Sequence, residues 1–126
     1  MVFKDNQPIY LQIADWACER VLLGQWQTGE KIPSVRELGV AVQVNPNTVV
    51  RAYDILEQKN IIANRRGVGY FVEADAIARI KSFRREQFLA EDLPILFRNL
   101  DLLEIPMAEI GKRYEQHLQL KAGFEF

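Results

Sequence analysis

Residues 44–58 read VNPNTVVRAYDILEQ, a stretch that predicts a short amphipathic helix with an unusual first turn. Asn45 is a favoured N-cap residue, because its side-chain oxygen can accept a hydrogen bond from an unpaired N–H of that turn. Pro46 suits the first helical position, where a missing N–H leaves nothing unsatisfied. Capping therefore accounts for Asn45 and Pro46, and it leaves Asn47, Thr48 and Arg51 without a structural role.

The helical period of 3.6 residues divides this stretch into two faces. The polar face carries Asn47, Thr48, Arg51, Asp54 and Gln58. The apolar face carries Val49, Ala52, Tyr53 and Leu56. The apolar face predicts packing against a core, whereas the polar face presents an amide, a hydroxyl and a guanidinium near the helix N-terminus.

A second short helix is expected directly before this one. In IPSVREL, Ser34 and Glu37 have the spacing of a capping box, in which each side chain binds the backbone N–H of the other residue. This helix is expected to end near Val42, and Gln43 and Val44 then form the turn. Two short helices joined by a tight turn are typical of a helix-turn-helix.

The flanking segments extend this pattern to a winged helix. An amphipathic helix is expected from Pro8 to about Leu23, and IIANRRGVGYFV holds two β-prone runs around two glycines that permit a tight hairpin. A phosphate-binding loop is the alternative for Gly67-x-Gly69, but such a loop joins a strand to a helix. The predicted fold is therefore mostly α with a small β-hairpin, a winged helix-turn-helix over residues 1–73.

Residues 74–126 form the second predicted region, a helical tail of two or three helices. Pro94 is expected to separate two helices or to kink one, and a further helix is expected from Pro106. Apolar residues recur along the tail with helical spacing, and a stripe of this length predicts dimerisation with a second copy of the chain. The predicted dimer contacts are Ile80, Phe83, Leu89, Leu93, Leu96, Phe97, Leu100 and Leu103.

Composition indicates a soluble globular protein. The 126 residues are 48% hydrophobic and 26% charged, which suits one domain with an appendage. No apolar run approaches the ~20 residues of a membrane span, and the N-terminal residues lack the apolar core of a signal peptide. A single cysteine, Cys18, cannot form an intrachain disulfide and is expected to be a buried, inert thiol. We therefore expect a cytoplasmic protein that does not associate with membranes.

Charge is distributed unevenly along the chain. Residues 31–69 contain six basic and three acidic residues, whereas residues 73–126 contain eight basic and ten acidic residues. A locally basic segment is compatible with a polyanionic partner, and here only the first region has that balance.

No arrangement of residues predicts catalysis. His117 is the only histidine and Cys18 the only cysteine, which excludes the usual ligand sets of zinc sites and the catalytic residues of thiol proteases. Neither an HExxH nor a GxSxG motif occurs. The abundant carboxylates are expected on helix faces opposite apolar stripes, where they would solvate the protein. We therefore expect no enzymatic activity, no cofactor and no bound metal.

The segments PIYLQIADWACERVLLGQWQTGEKIPSVREL, VNPNTVVRAYDILEQKNII and RGVGYFV resemble the DNA-binding domain of GntR-family bacterial transcription regulators, in particular the YtrA subfamily. The resemblance covers Pro8 to Val72. It implies a repressor that binds an inverted-repeat operator in double-stranded DNA as a homodimer. It further implies that the third helix enters the major groove and that the hairpin, or wing, lies beside the minor groove; it specifies no small-molecule effector.

The resemblance also assigns site residues, position by position. Ser34 and Arg36 match the PSxR residues that meet the DNA backbone and groove, and residues 67–69 match the wing tip. The complete predicted DNA-binding set is Ser34, Arg36, Asn45, Asn47, Thr48, Arg51, Arg65, Arg66, Gly67 and Gly69.

Several positions depart from the family pattern. Pro46 and Val50 stand where other branches have arginine, and Val68 stands where relatives often have lysine or arginine, so contacts of those cations do not transfer. Gly39-Val40 is also unusual for the second helix, and nothing in the sequence explains it.

Side-chain chemistry favours the same site without the resemblance. The free N–H groups and the dipole of a helix N-terminus favour a phosphate, and asparagine can pair with adenine and arginine with guanine. The alternative is that Asn47 and Thr48 only cap the helix, and that Arg51 pairs with Glu37 or Asp54. For Arg65 and Arg66 the alternative is a merely solvated hairpin.

A function of a different class is also open to this sequence. A winged helix can serve as a protein-interaction module, and its helical tail would then dock a partner protein.

Overall fold

Pro8 is the N-cap of the first helix in a computed structural model that describes residues 1, 3 and 6–123. The chain divides into two compact units, Met1–Arg84 and Arg85–Phe126. The elements that begin in the first unit are α1 (Ile9–Leu22), α2 (Val35–Val42), α3 (Pro46–Gln58), β1 (Ile62–Arg65), β2 (Gly69–Val72) and α4 (Ala76–Gln87).

The predicted caps define the starts of α2 and α3. The Glu37 N–H donates a 3.1 Å hydrogen bond to Ser34 Oγ. The Ser34 N–H donates a 3.0 Å hydrogen bond to Glu37 Oε1, which completes the capping box. The Asn45 side chain accepts from the Asn47 N–H over 2.9 Å, and Pro46 occupies the first turn of α3. Both predicted helix starts are therefore confirmed.

Gly39 allows α2 to approach the segment that leads into α3. A Cβ atom at this position would lie 3.0 Å from the Val44 carbonyl oxygen and 3.6 Å from Pro46. The turn between the helices passes through Gln43, whose φ of 58° lies in the left-handed region. This close approach supplies the reason for the glycine that the sequence alone left unexplained.

The hairpin pairs β1 and β2 in antiparallel register, with Ile62 opposite Val72 and Arg65 opposite Gly69. Its turn closes with a hydrogen bond from the Val68 N–H to the Arg65 carbonyl oxygen, 2.9 Å long. Gly67 has a φ of 77°, a conformation that a side chain disfavours. A helix-turn-helix followed by this hairpin is a winged helix, as predicted.

The core of the first unit joins α1, α3 and the hairpin. All four residues of the predicted apolar face of α3 are buried: Val49, Ala52, Tyr53 and Leu56. Against this core, the rings of Trp16 and Trp26 meet edge to face with their centroids 5.5 Å apart. Cys18 is buried as expected, and burial raises the pKa of its thiol to about 11.

The first unit extends beyond the boundary predicted at residue 73, because α4 contributes to its core. Ala76 and Ile80 are 0% exposed, and Phe83 packs against the same cluster. The Lys59 ammonium lies 4.5 Å from the centroid of the Phe83 ring. The prediction of Ile80 as a dimer contact is therefore wrong, since its side chain is fully covered by its own chain.

The described part of the second unit contains helices joined by a short non-helical segment, residues 104–106. After the end of α4, a π-helical segment (Phe88–Asp92) leads into α5 (Leu93–Leu103), and α6 spans Met107–Gly123. Pro94 stands in the first turn of α5, directly after the π-helical segment. A proline clashes with the carbonyl of the preceding turn, and the wider π-helical turn accommodates it. The helix break or kink predicted near Pro94 thus takes the form of the π-helical segment that precedes α5.

No helix among the described residues is both long and apolar enough to cross a membrane.

We predict that Ile80→Ala lowers the free energy of unfolding by about 2–5 kcal/mol, because it opens a cavity in a filled core. Urea unfolding of the full chain measures this. Val40, which is 81% exposed on α2, provides the matched control, and Val40→Ala should change the value by about 0.5 kcal/mol or less. Equal effects of the two substitutions would contradict the placement of α4 in the core.

Candidate nucleic-acid interface

Three segments carry the residues predicted to meet DNA: the first turn of α2, the first turn of α3 and the turn of the hairpin. The exposed members of the predicted set are Arg36, Asn45, Asn47, Arg51, Arg65, Arg66 and Gly67. The half-buried members are Ser34, Thr48 and Gly69. The whole set lies within the first unit. Contacts of other side chains hold its three segments in place.

Tyr53 links these segments from the buried face of α3. Its hydroxyl donates to the Pro33 carbonyl oxygen over 2.6 Å, directly before the N-cap of α2. Its ring meets the Tyr70 ring of β2 edge to face, with the centroids 4.8 Å apart. Burial raises the pKa of Tyr53 far above its ordinary value, so the hydroxyl keeps its proton well into the alkaline range.

The first turn of α3 leaves two polar side chains free. Asn45 caps the turn through its own side chain, which accepts from the Asn47 N–H. The side-chain amide of Asn47 and the hydroxyl of Thr48 form no hydrogen bond with any described residue. Capping is therefore the role of Asn45, and the alternative that Asn47 and Thr48 cap the helix with their side chains is not observed.

Arg51 has a partner that the sequence did not indicate. Its guanidinium carbon lies 4.0 Å from the centroid of the Tyr10 ring on α1, and it forms no ion pair with Glu37 or Asp54. An aromatic face attracts a guanidinium through the ring quadrupole, so this contact does not use a hydrogen-bond acceptor for the N–H groups. Arg51 is thus held in place while its donors stay available to another molecule.

In the first turn of α2, the Ser34 hydroxyl is committed to capping. The hydrogen bond from the Ser34 backbone N–H is the main cause that lowers the pKa of the Glu37 carboxyl, so Glu37 is ionised at neutral pH. Arg36 is exposed and forms no ion pair among the described residues. Arg36 is therefore the cation of this turn that is free to bind an anion.

The wing presents two arginines in different settings. The Arg65 guanidinium carbon lies 4.1 Å from the centroid of the Phe71 ring, whereas Arg66 is exposed and has no partner among the described residues. Gly67 and Gly69 have φ values of 77° and 138°, so both have a conformational reason to be glycine. The apex residue Val68 is exposed and carries no charge.

Metal binding finds no support in the described part of the chain, which contains no group of three or more histidine, cysteine or acidic side chains placed to hold an ion.

Comparison with known proteins matches residues 9–72 to the family described as "Bacterial regulatory proteins, gntR family". The uncharacterized HTH-type transcriptional regulator YhcF of Bacillus subtilis is 43% identical over 74 residues, which span 59% of this chain and 61% of YhcF. The HTH-type transcriptional repressor YtrA of the same organism is 42% identical over 73 residues, 58% of this chain and 56% of YtrA. The match thus spans less than two thirds of these relatives.

A solved structure extends the likeness to the helical tail. The putative transcriptional regulator of the GntR family from Bacteroides thetaiotaomicron superimposes with a TM-score of 0.74 at 46% sequence identity. The superposition covers 90% of this chain and 98% of that one.

We predict that Tyr53→Phe lowers the free energy of unfolding by about 1–3 kcal/mol, because the Pro33 carbonyl is left without its donor while the aromatic packing is retained. Urea unfolding at neutral pH is the measurement. Tyr114→Phe removes a hydroxyl from an exposed ring on α6 and should change the value by about 0.5 kcal/mol or less. A decrease for Tyr53→Phe no larger than that of the control would show that the link to Pro33 contributes nothing.

Proposed function

Because this chain belongs to the GntR family of bacterial regulatory proteins, we propose that it is a transcription regulator that binds an operator in double-stranded DNA as a homodimer. One observation carries the proposal: the polar side chains at the start of α3 have no competing carboxylate or hydrogen-bond partner among the described residues. The amide of Asn47, the hydroxyl of Thr48 and the stacked guanidinium of Arg51 all have donors or acceptors to offer. We further propose repression as its mode of action, by likeness to the repressor YtrA, and the cytoplasm as its location.

In this proposal the N-terminal half of α3 enters the major groove, which is about 12 Å wide and admits a helix. Asn47 would pair with an adenine, and Arg51 with a guanine or a flanking phosphate. Thr48 would contact a phosphate or a thymine methyl group. The Tyr10 ring would hold the Arg51 guanidinium in position before DNA arrives, so that binding restricts the side chain less.

The remaining members of the set would position the duplex. Arg65 and Arg66 would bind phosphates without reading sequence, whereas Arg36 would meet the backbone and the groove. Ser34 and Asn45 would act chiefly through the helix starts that they cap, whose N–H groups favour a phosphate. Gly67 and Gly69 would act by shaping the wing.

Dimerisation through the second unit is supported by apolar side chains that its own helices leave uncovered. Phe97 is 49% exposed and Leu103 is 67% exposed, while Leu100 is nearly buried. Large exposed apolar residues of the tail also include Phe88, Leu89, Ile95, Leu102, Met107, Tyr114, Leu118 and Leu120. From the predicted contacts we retain Leu89, Leu93, Leu96, Phe97 and Leu103. Phe83 packs against the core of the first unit and Leu100 is buried within its own chain, so neither is proposed as a contact. A two-fold dimer of winged helices would in turn bind an inverted-repeat operator.

We predict that Arg51→Ala and Arg66→Ala affect DNA binding in different ways. Arg51→Ala should weaken binding to an operator selected from random DNA by roughly 1–3 kcal/mol per half-site, and it should relax the preference at one base position. Arg66→Ala should weaken operator and scrambled DNA equally and lower the salt slope by about 0.9 for each phosphate that the protein no longer neutralises. Salt titrations of both variants on both DNAs measure this.

The control for both arginines is Arg79→Ala, which removes an exposed guanidinium on α4 that already pairs with Asp75, the residue directly before that helix. It should leave both DNAs bound as before. If Arg51→Ala weakens both DNAs equally, Arg51 is a phosphate contact and specificity rests with Asn47, Thr48 and Arg36. If it weakens neither, α3 does not face DNA, and the protein-interaction module becomes the better interpretation.

We predict that the double substitution of Phe97→Glu and Leu103→Glu converts the dimer to a monomer, because it places four carboxylates in the apolar interface of one dimer. Sedimentation gives the mass, and affinity for a full operator should fall at least about tenfold while a single half-site is bound as before. Leu23→Glu adds a carboxylate at an exposed leucine of the first unit and should leave the dimer intact. A double variant that still sediments as a dimer would rule out this surface.

A further inference from the structure

Lys31 pairs with the wing although it precedes the helix-turn-helix in sequence. It is bridged to Phe71 of β2, and two hydrogen bonds flank the bridge. The Ile32 N–H donates to the Tyr70 carbonyl oxygen, and the Val72 N–H donates to the Glu30 carbonyl oxygen. Each of these hydrogen bonds is 3.0 Å long. Residues 30–32 therefore pair with β2 on the side opposite β1.

This pairing places Lys31 on the outer face of the wing. Side chains alternate between the two faces of an extended segment. Ile32 is buried on the core side, and Lys31 is exposed on the other. Lys31 thus shares its face with Phe71, the residue directly opposite.

The Lys31 side chain runs along β2 towards the hairpin turn. A Cβ atom at Gly69 would lie 2.7 Å from Lys31 Cε and 3.5 Å from its Nζ. Gly69 precedes Phe71 by two positions on the turn side, so the ammonium lies nearer the turn than the backbone of Lys31 does. The missing side chain of Gly69 leaves the space through which Lys31 passes.

Arg65 approaches the same face from the other strand. It is opposite Gly69 in the register, and its guanidinium stacks on the Phe71 ring at 4.1 Å. Lys31 and Arg65 therefore flank β2 from its two sides. Neither cation forms an ion pair with a carboxylate among the described residues.

Lys31 also lies close to the first turn of α2. The hydrogen bonds from Ser34 are the larger causes that lower the pKa of Glu37, which lies in that turn. The positive charge of Lys31 helps to lower this pKa further. Lys31 also precedes Ser34, the N-cap of α2, by three positions and pairs with β2 of the wing, so it lies close to two of the three segments proposed to face DNA.

We propose that Lys31 is a further DNA-binding residue, which forms with Arg65 a pair of cations that holds a backbone phosphate between the wing and α2. An ammonium on a flexible stem binds a phosphate as a point charge and carries no information about the base sequence. The inference rests on the proposed DNA binding of this unit and adds to it a contact outside the helix-turn-helix and the hairpin.

The test uses the full chain, with the selected operator and a scrambled duplex as probes. Lys31→Ala should weaken binding to both DNAs by the same factor. It should also lower the slope of log affinity against log salt by about 0.9 per half-site, or about 1.8 for a dimer. Lys31→Arg should restore most of the slope. Lys81→Ala, which removes an exposed ammonium from α4, is the matched control and should change nothing.

A double-mutant cycle with Gly69→Ala tests the path of the side chain. The added methyl group would displace Lys31, and the strain of an alanine at a φ of 138° is the same with and without Lys31. Gly69→Ala should therefore lower the salt slope in the otherwise native chain and leave it almost unchanged in Lys31→Ala.

The outcomes separate this inference from the proposed function. If the native chain shows no preference for any selected DNA, the proposed function fails. If it binds its operator specifically and Lys31→Ala alters neither affinity nor salt slope, the inference alone fails. If Lys31→Ala weakens the operator but not the scrambled duplex, Lys31 reads a base, and its role as a phosphate contact is overturned.

Discussion

The hydrogen bond from the Tyr53 hydroxyl to the Pro33 carbonyl oxygen, 2.6 Å long, is the contact on which the interface depends most. Pro33 immediately precedes the cap of α2, so this bond fixes the start of α2 relative to α3. The same ring rests against Tyr70 and so ties β2 to α3. A single side chain, 0% exposed, thereby connects all three segments proposed to meet DNA. Gly39 adds a second constraint, because its lack of a side chain lets the two helices of the motif approach closely.

Four of the described cations in the first unit lie over aromatic rings. The guanidinium groups of Arg20, Arg51 and Arg65 and the ammonium of Lys59 each lie over a ring at 4.0–5.3 Å. The ion pairs found among the described residues are both helical surface pairs, on α4 and α6. A ring can orient a cation without neutralising it, whereas a carboxylate partner would compete with a phosphate and repel it. For Arg51 and Arg65, this arrangement keeps the full positive charge available to a polyanion.

The sequence predicted those features that depend on neighbouring residues. Ser34 and Asn45 could be recognised as caps because a cap satisfies N–H groups of its own first turn, and the glycines of the wing because a tight turn needs positive φ. The contacts of Arg51 with Tyr10 and of Lys31 with Gly69 join distant segments, and no local pattern encodes them. Ile80 was misplaced for a related reason: its helical spacing is the same whether an apolar stripe meets its own core or a second chain. The family resemblance is confirmed, but it too gives a pattern of positions and not the contacts of their side chains.

The tryptophan pair gives the two units separate optical signatures. Both tryptophans of the chain, Trp16 and Trp26, lie in the first unit, and their rings are in contact with each other. Intrinsic tryptophan fluorescence therefore reports on the winged helix alone. Far-ultraviolet circular dichroism measures helix content and so reports on both units. The same unlabelled sample can thus reveal whether the two units melt together or in sequence.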